Sequence, residues 1–427
     1  MSDKIISVSI IGVGSRGGDA YGTIMNSMPD KYNIVALCDY NKEKTDKYKK
    51  VFNVNDDMVF ADEETFFSKR RSDLLVIATY DKDHVRIAKK AIRLGYDILL
   101  EKPISNDVNE LLELRDMAKE HGAFVMVCHV LRYTWANRTI MEILKSKRLG
   151  KLIHIDHTEQ IAYWHFAHSY TRGNWRNTDI AAPMIMAKSC HDLDLLQQYA
   201  DSPCDSLSSV GSLTWFKSEN APDGCAERCL DCKYRDTCSY SAKIKYLDQW
   251  EKEGQPQWWP WCILSVEHLT RDVLENALRN GPYGKCVFKC DNNVADNQSV
   301  MISFQNGVKA TFRATAFTKD TGRITIFYCS DGQIVYEESK GVVIERPFIG
   351  DDVVHSAENA KDAFGHGGGD EGLIGKLYEA LSNKIRDTDT SLDKSIESHL
   401  MAIAAEDSRL RGGAVVYLKN YRENTNL

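Results

Sequence analysis

The sequence predicts an α/β chain in two parts: an N-terminal doubly wound parallel sheet, then an α/β domain with an open, mainly antiparallel sheet. Three observations predict it. Over the first 130 residues, short apolar runs alternate with helical-period stretches across short links, the pattern of repeated β–α units. Beyond residue 150, apolar and polar residues alternate, and the pairs Asn306-Gly307 and Asp331-Gly332 divide the runs as hairpin turns do. The 427 residues, 43% hydrophobic and 27% charged, suffice for more than one core.

The first strand is read over residues 5–11, apolar and rich in β-branched side chains. It enters Gly12-Val13-Gly14-Ser15-Arg16-Gly17, a G-x-G-x-x-G turn, and a helix follows with Ala20, Ile24 and Met28 on one face. Such a strand–turn–helix directs backbone N–H groups and the positive helix end at a pyrophosphate. Gly12 permits the tight turn, Gly14 the approach of a dinucleotide, and Gly17 close packing of helix on strand. A second strand over 34–37 ends at Asp39, twenty-two residues beyond Gly17. An acid there can accept hydrogen bonds from ribose hydroxyls and repel a 2′-phosphate, which favours NAD over NADP. A buried strand over 74–78 precedes a helix over 83–94, with Val85, Ala88 and Ile92 on one face and Gly95 as its stop. A strand over 97–100, a helix capped by Ser105 and ending near Gly122, and a strand over 123–128 complete this part.

In the second part, residues 151–161 alternate as a half-buried strand, and 193–199 read as a helix. Hairpins are expected from 301–304 with 308–317 and from 324–328 with 334–337. Helices near 371–381 and 396–410 close the chain, the first capped by Asp370. The expected division is a dinucleotide-binding domain over 1–129 and a substrate-binding and oligomerisation domain over 130–427, with a Cys-rich segment at about 216–262. An open sheet face is a natural surface for a homo-oligomer.

A net charge of −7 without a basic stripe argues against nucleic acid and anionic membrane as partners. Met1-Ser2-Asp3-Lys4 leads directly into the first strand, with no signal peptide and no run of membrane-spanning length. Twelve cysteines in such a chain fit a cytoplasmic location, as free thiols or metal ligands and not disulfides.

Glu101-Lys102-Pro103 lies at the C-terminal end of a parallel strand, where ligands bind in such sheets. Lys102 is placed to hydrogen-bond a substrate hydroxyl or carry its proton. The stretch 163–177 holds Trp164, His165, His168, Arg172, Trp175 and Arg176, a mixture that suits carbohydrate: rings stack on apolar sugar faces and forked donors hold hydroxyls or an anion. Without nearby acids, the two histidines do not make a metal site. A buried aromatic loop with satisfied polar tips is the alternative reading. Cys225-x₃-Cys229-x₂-Cys232-x₅-Cys238 can close a structural zinc site, hold an iron–sulfur cluster, or remain four reduced thiols. Gly365-His366-Gly367-Gly368-Gly369-Asp370 lacks the strand and lysine of a phosphate loop.

Taken together, these residues resemble the Gfo/Idh/MocA family of NAD(P)-dependent oxidoreductases, in a subgroup with a Cys-rich insert. The resemblance rests on the glycine turn, Glu101-Lys102-Pro103, Lys188-Ser189-Cys190-His191-Asp192-Leu193-Asp194, and the closing segment 401–409. It implies a Rossmann domain followed by a domain whose open sheet walls the substrate. Lys102 and His191 take the family's proton-transfer positions, while Thr79, His84, Glu101 and Lys102 join the glycine turn and Asp39 as cofactor contacts. His366 is implied to border the substrate pocket. Many members carry an aspartate four residues before the histidine; here that position is Ala187, and Lys188 beside it is a candidate replacement. The implied reaction is hydride transfer between NAD and a secondary hydroxyl or keto group of a sugar, sugar derivative or cyclitol. A glycosidase that uses NAD transiently and a non-catalytic NAD(H)-binding regulator are the alternatives.

Overall fold

The computed structural model describes residues 5–265, 267–357 and 367–423. Six parallel strands form the first sheet: β1 (Ile6–Ile11), β2 (Tyr32–Cys38), β3 (Val59–Phe60), β4 (Leu74–Ile77), β5 (Asp97–Leu100) and β6 (Val125–Val127). Their order is β3-β2-β1-β4-β5-β6, so the winding reverses between β1 and β4. In such sheets ligands bind outside the strand C-termini at this reversal. Every side chain of β4 is buried, as expected where helices cover both faces. One face is packed by Ile87 and Ala91 of helix His84–Arg93 and Leu111 of helix Val108–Glu120. The other is covered by Tyr48 and Phe52 of helix Lys42–Phe52 and by Leu373, Ile374 and Leu377 of helix Gly369–Ser382. The latter helix returns from late in the chain to the N-terminal sheet.

The second sheet has nine strands: β7 (Leu152–Ile161), β8 (Cys204–Ser212), β9 (Asn297–Phe304), β10 (Lys309–Thr315), β11 (Thr321–Cys329), β12 (Gly332–Glu337), β13 (Val342–Pro347), β14 (Val353–Ser356) and β15 (Val416–Tyr417). The order is β14-β13-β12-β11-β7-β10-β9-β8-β15. Both hairpins form, and among the described residues only β7 with β10 pairs in parallel in this sheet. Helices Cys190–Ala200 and Leu392–Leu410 pack behind the sheet through residues such as Leu193, Leu196, Leu400 and Met401. Among the described residues no helix is long and apolar enough to cross a membrane.

Local departures have simple causes. After β1 the chain enters a π-helical turn, Ser15–Gly22, before Thr23–Asn26. The wider turn changes the helical phase, so the core face is Tyr21, Ile24 and Met25; of the expected Ala20, Ile24 and Met28, Ile24 is in the core, Met28 packs against it and Ala20 falls outside. Helix Val108–Glu120 is capped by Asp107, whose carboxylate accepts from the Asn109 and Glu110 N–H groups. The expected cap, Ser105, instead bonds the Glu110 side chain. Asp370 sits inside the first turn of its helix, and Gly368, at φ 75°, holds the cap position. His191 lies in the first turn of helix Cys190–Ala200, which starts earlier than expected.

Candidate active site

The turn after β1 is built for close approach. At Gly12, φ is +86° and a Cβ would lie 2.4 Å from the Ala78 carbonyl oxygen; at Gly17 it would lie 2.1 Å from the Gly12 oxygen. Gly12→Ala is therefore expected to disrupt the turn and abolish NAD binding, read by NADH fluorescence titration; near-wild-type affinity would contradict it. A Cβ on Gly14 would meet nothing nearer than Lys44 Nζ at 3.7 Å, leaving that side of the turn open. Asp39 Oδ2 accepts from the Val13 N–H at 3.0 Å and Oδ1 from the Asn41 N–H at 2.8 Å. Its carboxylate is thus fixed beside the turn. Thr79 Oγ1 and Asp81 Oδ2 are buried with no partner among the described residues. Both are groups a bound polar ligand would satisfy. The His84 ring spans the Pro103 and Thr79 carbonyls at 2.7 and 3.1 Å and so joins the loops after β4 and β5. These features fit a dinucleotide: the turn and its flanking N–H groups for pyrophosphate, Asp39 for a ribose, and Thr79 with Asp81 further along.

Arg16 turns away from that opening. It donates to Glu101 Oε1 at 2.8 Å and to both Asp370 oxygens at 3.1 and 2.6 Å. Glu101 also accepts from Tyr21 and from the Lys102 N–H at 2.8 Å. Burial alone would raise the Glu101 carboxyl, but Arg16 and Lys102 outweigh it and hold it below the usual range. Arg16 thereby pins the end of β5 to the returning helix. Arg16→Met leaves two buried carboxylates without their cation and is expected to cost about 3 kcal/mol of stability, measured by urea unfolding; a loss near zero would overturn this bracing role.

Lys102 follows Glu101 and projects toward the second half of the chain, where its Nζ donates to the Ala187 carbonyl at 3.2 Å. The position that lacks the expected aspartate thus meets Lys102 through its backbone. The His191 ring lies edge-on to His129, with centroids 5.8 Å apart, and His129 is in turn 5.6 Å from His399. His129 is fully buried, both ring nitrogens lack hydrogen-bond partners among the described residues, and burial with Arg132 and Lys102 nearby keeps it neutral.

Beside this cluster lies a buried charge network. Arg323 donates to Asp192 Oδ1 at 2.7 Å and to Glu159 Oε1 at 3.1 Å. His157 Nε2 is 2.9 Å from Asp192 Oδ1, Ser189 donates to Glu159 at 3.0 Å, and Lys188 Nζ is 3.1 Å from Glu159. Burial and the neighbouring Asp192 raise the Glu159 carboxyl against the pull of Lys188 and Arg323. Arg323 and His157 overcome burial at Asp192 and hold it low. Lys188 is therefore positioned on a carboxylate, close to His165, whose pKa burial and that lysine both depress. Sequence reasoning missed Glu159, His157 and Arg323. One signal was present: His157 and Glu159 fall on the buried register of β7 with Ile155 and Ile161.

The aromatic stretch divides. Trp164 and His165 stack at 5.6 Å, and Trp259 of the Cys-rich insert packs on them at 5.5 and 5.0 Å. Trp175 lines a cleft of about 660 Å³ that also takes in Tyr80, Asp81 and Pro103. His168 and Arg172 face the insert. His168 bonds Tyr246 at 2.7 Å, and Arg172 donates to the Lys285 and Tyr240 carbonyls and to Cys229 Sγ. Arg176 is paired with Asp291. The expected substrate contacts at His168, Arg172 and Arg176 are thus already committed within the chain. His366 lies outside the described residues.

Cys225, Cys229, Cys232, Cys238 and Cys286 line one small cavity. Cys232 and Cys238 accept backbone N–H bonds from Tyr234 and Tyr240 at 3.5 and 3.4 Å. Among the described residues no three His, Cys, Asp or Glu side chains are arranged to hold a metal, and none of these cysteines forms a disulfide. The expectation of structural zinc is not supported.

Comparison with known proteins agrees with this geometry. Residues 6–129 match the family described as an oxidoreductase family with an NAD-binding Rossmann fold (GFO_IDH_MocA). The YteT protein of Bacillus subtilis is 21% identical over 372 residues, 83% of this chain and 84% of its own. A levoglucosan dehydrogenase solved with NADH and levoglucosan superposes with a TM-score of 0.70 at 16% identity, over 97% of this chain and 100% of that one. A scyllo-inositol dehydrogenase from Lactobacillus casei, solved with NAD(H) and scyllo-inositol, gives 0.66 at 13% identity over 97% and 100%.

Proposed function

We propose that this member of the Gfo/Idh/MocA oxidoreductase family, whose NAD-binding Rossmann unit is matched over residues 6–129, transfers hydride between NAD(H) and a secondary hydroxyl or keto carbon of a sugar, sugar derivative or cyclitol. The observation that carries the reading is the convergence of Lys102, from the end of β5, on the segment holding Ala187, Lys188 and His191. This convergence supports reading Lys102 and His191 as proton carriers near the end of the parallel sheet. The levoglucosan and inositol dehydrogenases with the same fold support the substrate class.

Gly12, Val13, Gly14 and Ser15 would hold the pyrophosphate, Asp39 a ribose, and Thr79, Asp81 and the Glu101-Lys102 strand end the remainder. NAD, when bound, supplies the hydride acceptor. Lys102 donates a hydrogen bond to the reacting oxygen and takes up or relays its proton with His191. Lys188, held on Glu159, keeps a third donor at hand. Trp164, His165 and Trp259 offer apolar faces for ring stacking. The first 129 residues serve the cofactor and the remainder the substrate, and the protein acts as a homo-oligomer in the cytoplasm.

The test is a panel of free sugars, cyclitols and aryl glycosides with NAD, following NADH and aglycone together. NADH from a free sugar or cyclitol is expected. Aglycone release without NADH would instead mean transient use of NAD in glycoside cleavage, and neither signal would contradict an enzymatic role on these compounds.

A further inference from the structure

The charges around the candidate pocket are nearly balanced. Arg323 and Lys188 answer Asp192 and Glu159, Arg132 answers Asp194, and Arg16 with Lys102 answers Glu101 and Asp370. Lys245, from the insert, is the exception. Among the described residues its ammonium makes no ion pair and no side-chain hydrogen bond. It lies 3.6 Å above the centre of the Trp164 ring and 5.2 Å from that of Trp261. Cation–π contact holds an ammonium in place but does not neutralise it. Trp261 is buried, and its Nε1–H is a second donor without an acceptor among the described residues. Lys245 also bears electrostatically on His165, the ring that Lys188 influences from the catalytic side. An unmatched cation and an unmatched donor therefore sit at an aromatic wall next to the proton-carrying cluster.

We propose that Lys245 forms an anion subsite in the substrate pocket, so that the sugar handled here carries a carboxylate, as a uronic or other sugar acid does. The inference rests on the hydride-transfer reading above and narrows its substrate class. The sugar ring would stack on Trp164 or Trp259 while its carboxylate reaches the ammonium. Burial pulls the Lys245 pKa down to about 8, partly offset by Glu253. The other titratable groups near it are His165 and His168, the first held well below its usual range and the second at about 3, so both stay neutral from pH 7 to 9.

The experiment is a tryptophan-fluorescence titration of the full chain with NAD present. D-glucuronate is compared with D-glucose, D-galacturonate with D-galactose, and glucose 6-phosphate is included. At pH 7 at least one uronate is expected to bind tenfold or more tightly than its neutral hexose, and the ratio should shrink by pH 9. Lys245→Met should bring the ratio below twofold, and Lys245→Arg should preserve most of it. No uronate exceeding its hexose, or a preference that survives Lys245→Met, overturns the subsite. A preference confined to glucose 6-phosphate overturns the carboxylate assignment. NADH recorded in the same samples separates the two readings, because uronate binding without any NADH counts against hydride transfer and leaves the subsite standing.

Discussion

Lys102→Met is expected to lower kcat by about a thousandfold, within the range by which a positioned proton-transfer group accelerates a reaction. The side chain leaves the end of a buried parallel strand, and its backbone N–H is fixed by Glu101 at 2.8 Å. Its ammonium contacts the Ala187 carbonyl at 3.2 Å, an acceptor that a substrate oxygen can share or replace. Methionine keeps the length and apolar packing but removes every donor. Nucleotide binding, which depends on the turn and Asp39, should change far less. The check is kcat beside the NADH dissociation constant. A kcat within tenfold of wild type would remove Lys102 from the chemistry, and a parallel collapse of NADH binding would make it a cofactor residue instead.

Asp39→Ala is expected to reduce the preference for NAD over NADP by about 10- to 100-fold, the scale of hydrogen bonds to a charged group. Val13 and Asn41 N–H groups orient the carboxylate at the C-terminal end of β2. Held there, it can accept from both ribose hydroxyls and repel a 2′-phosphate. Alanine removes attraction and repulsion together, so kcat/KM should fall for NAD and rise for NADP. The ratio of the two kcat/KM values is the measurement, and a change under threefold would mean that Asp39 serves only the fold of the turn.

Much of the fold around the parallel sheet was legible because its determinants are local. The glycine turn, the acid ending β2 and the Glu101-Lys102-Pro103 strand end each occupy a few consecutive residues. Hairpins at Asn306-Gly307 and Asp331-Gly332 were equally local. The charge network was not, since Arg323 and Glu159 are 164 residues apart and meet only when β11 pairs with β7. Composition misled at His168 and Arg172. Their types suit a sugar, but Tyr246, the Tyr240 carbonyl and Cys229 of the insert and the Lys285 carbonyl beyond it take them. The same insert brings Lys245 and Trp259 against Trp164 across 81 and 95 residues, a juxtaposition no spacing in the sequence announces. The π-helical turn after Gly14 altered the helix phase for a reason that periodicity of 3.6 does not contain.

In the proposed reaction, hydride passes directly from a sugar or cyclitol carbon to NAD. The most direct measurement uses hexoses, hexuronates and inositols carrying deuterium on every carbinol carbon, incubated with the protein and unlabelled NAD, with the nucleotide then analysed by mass spectrometry. NADH one mass unit heavier than unlabelled NADH is expected from at least one substrate, formed about a thousandfold more slowly by the Lys102→Met protein. NADH without deuterium, or no NADH from any of these compounds, would contradict that reaction.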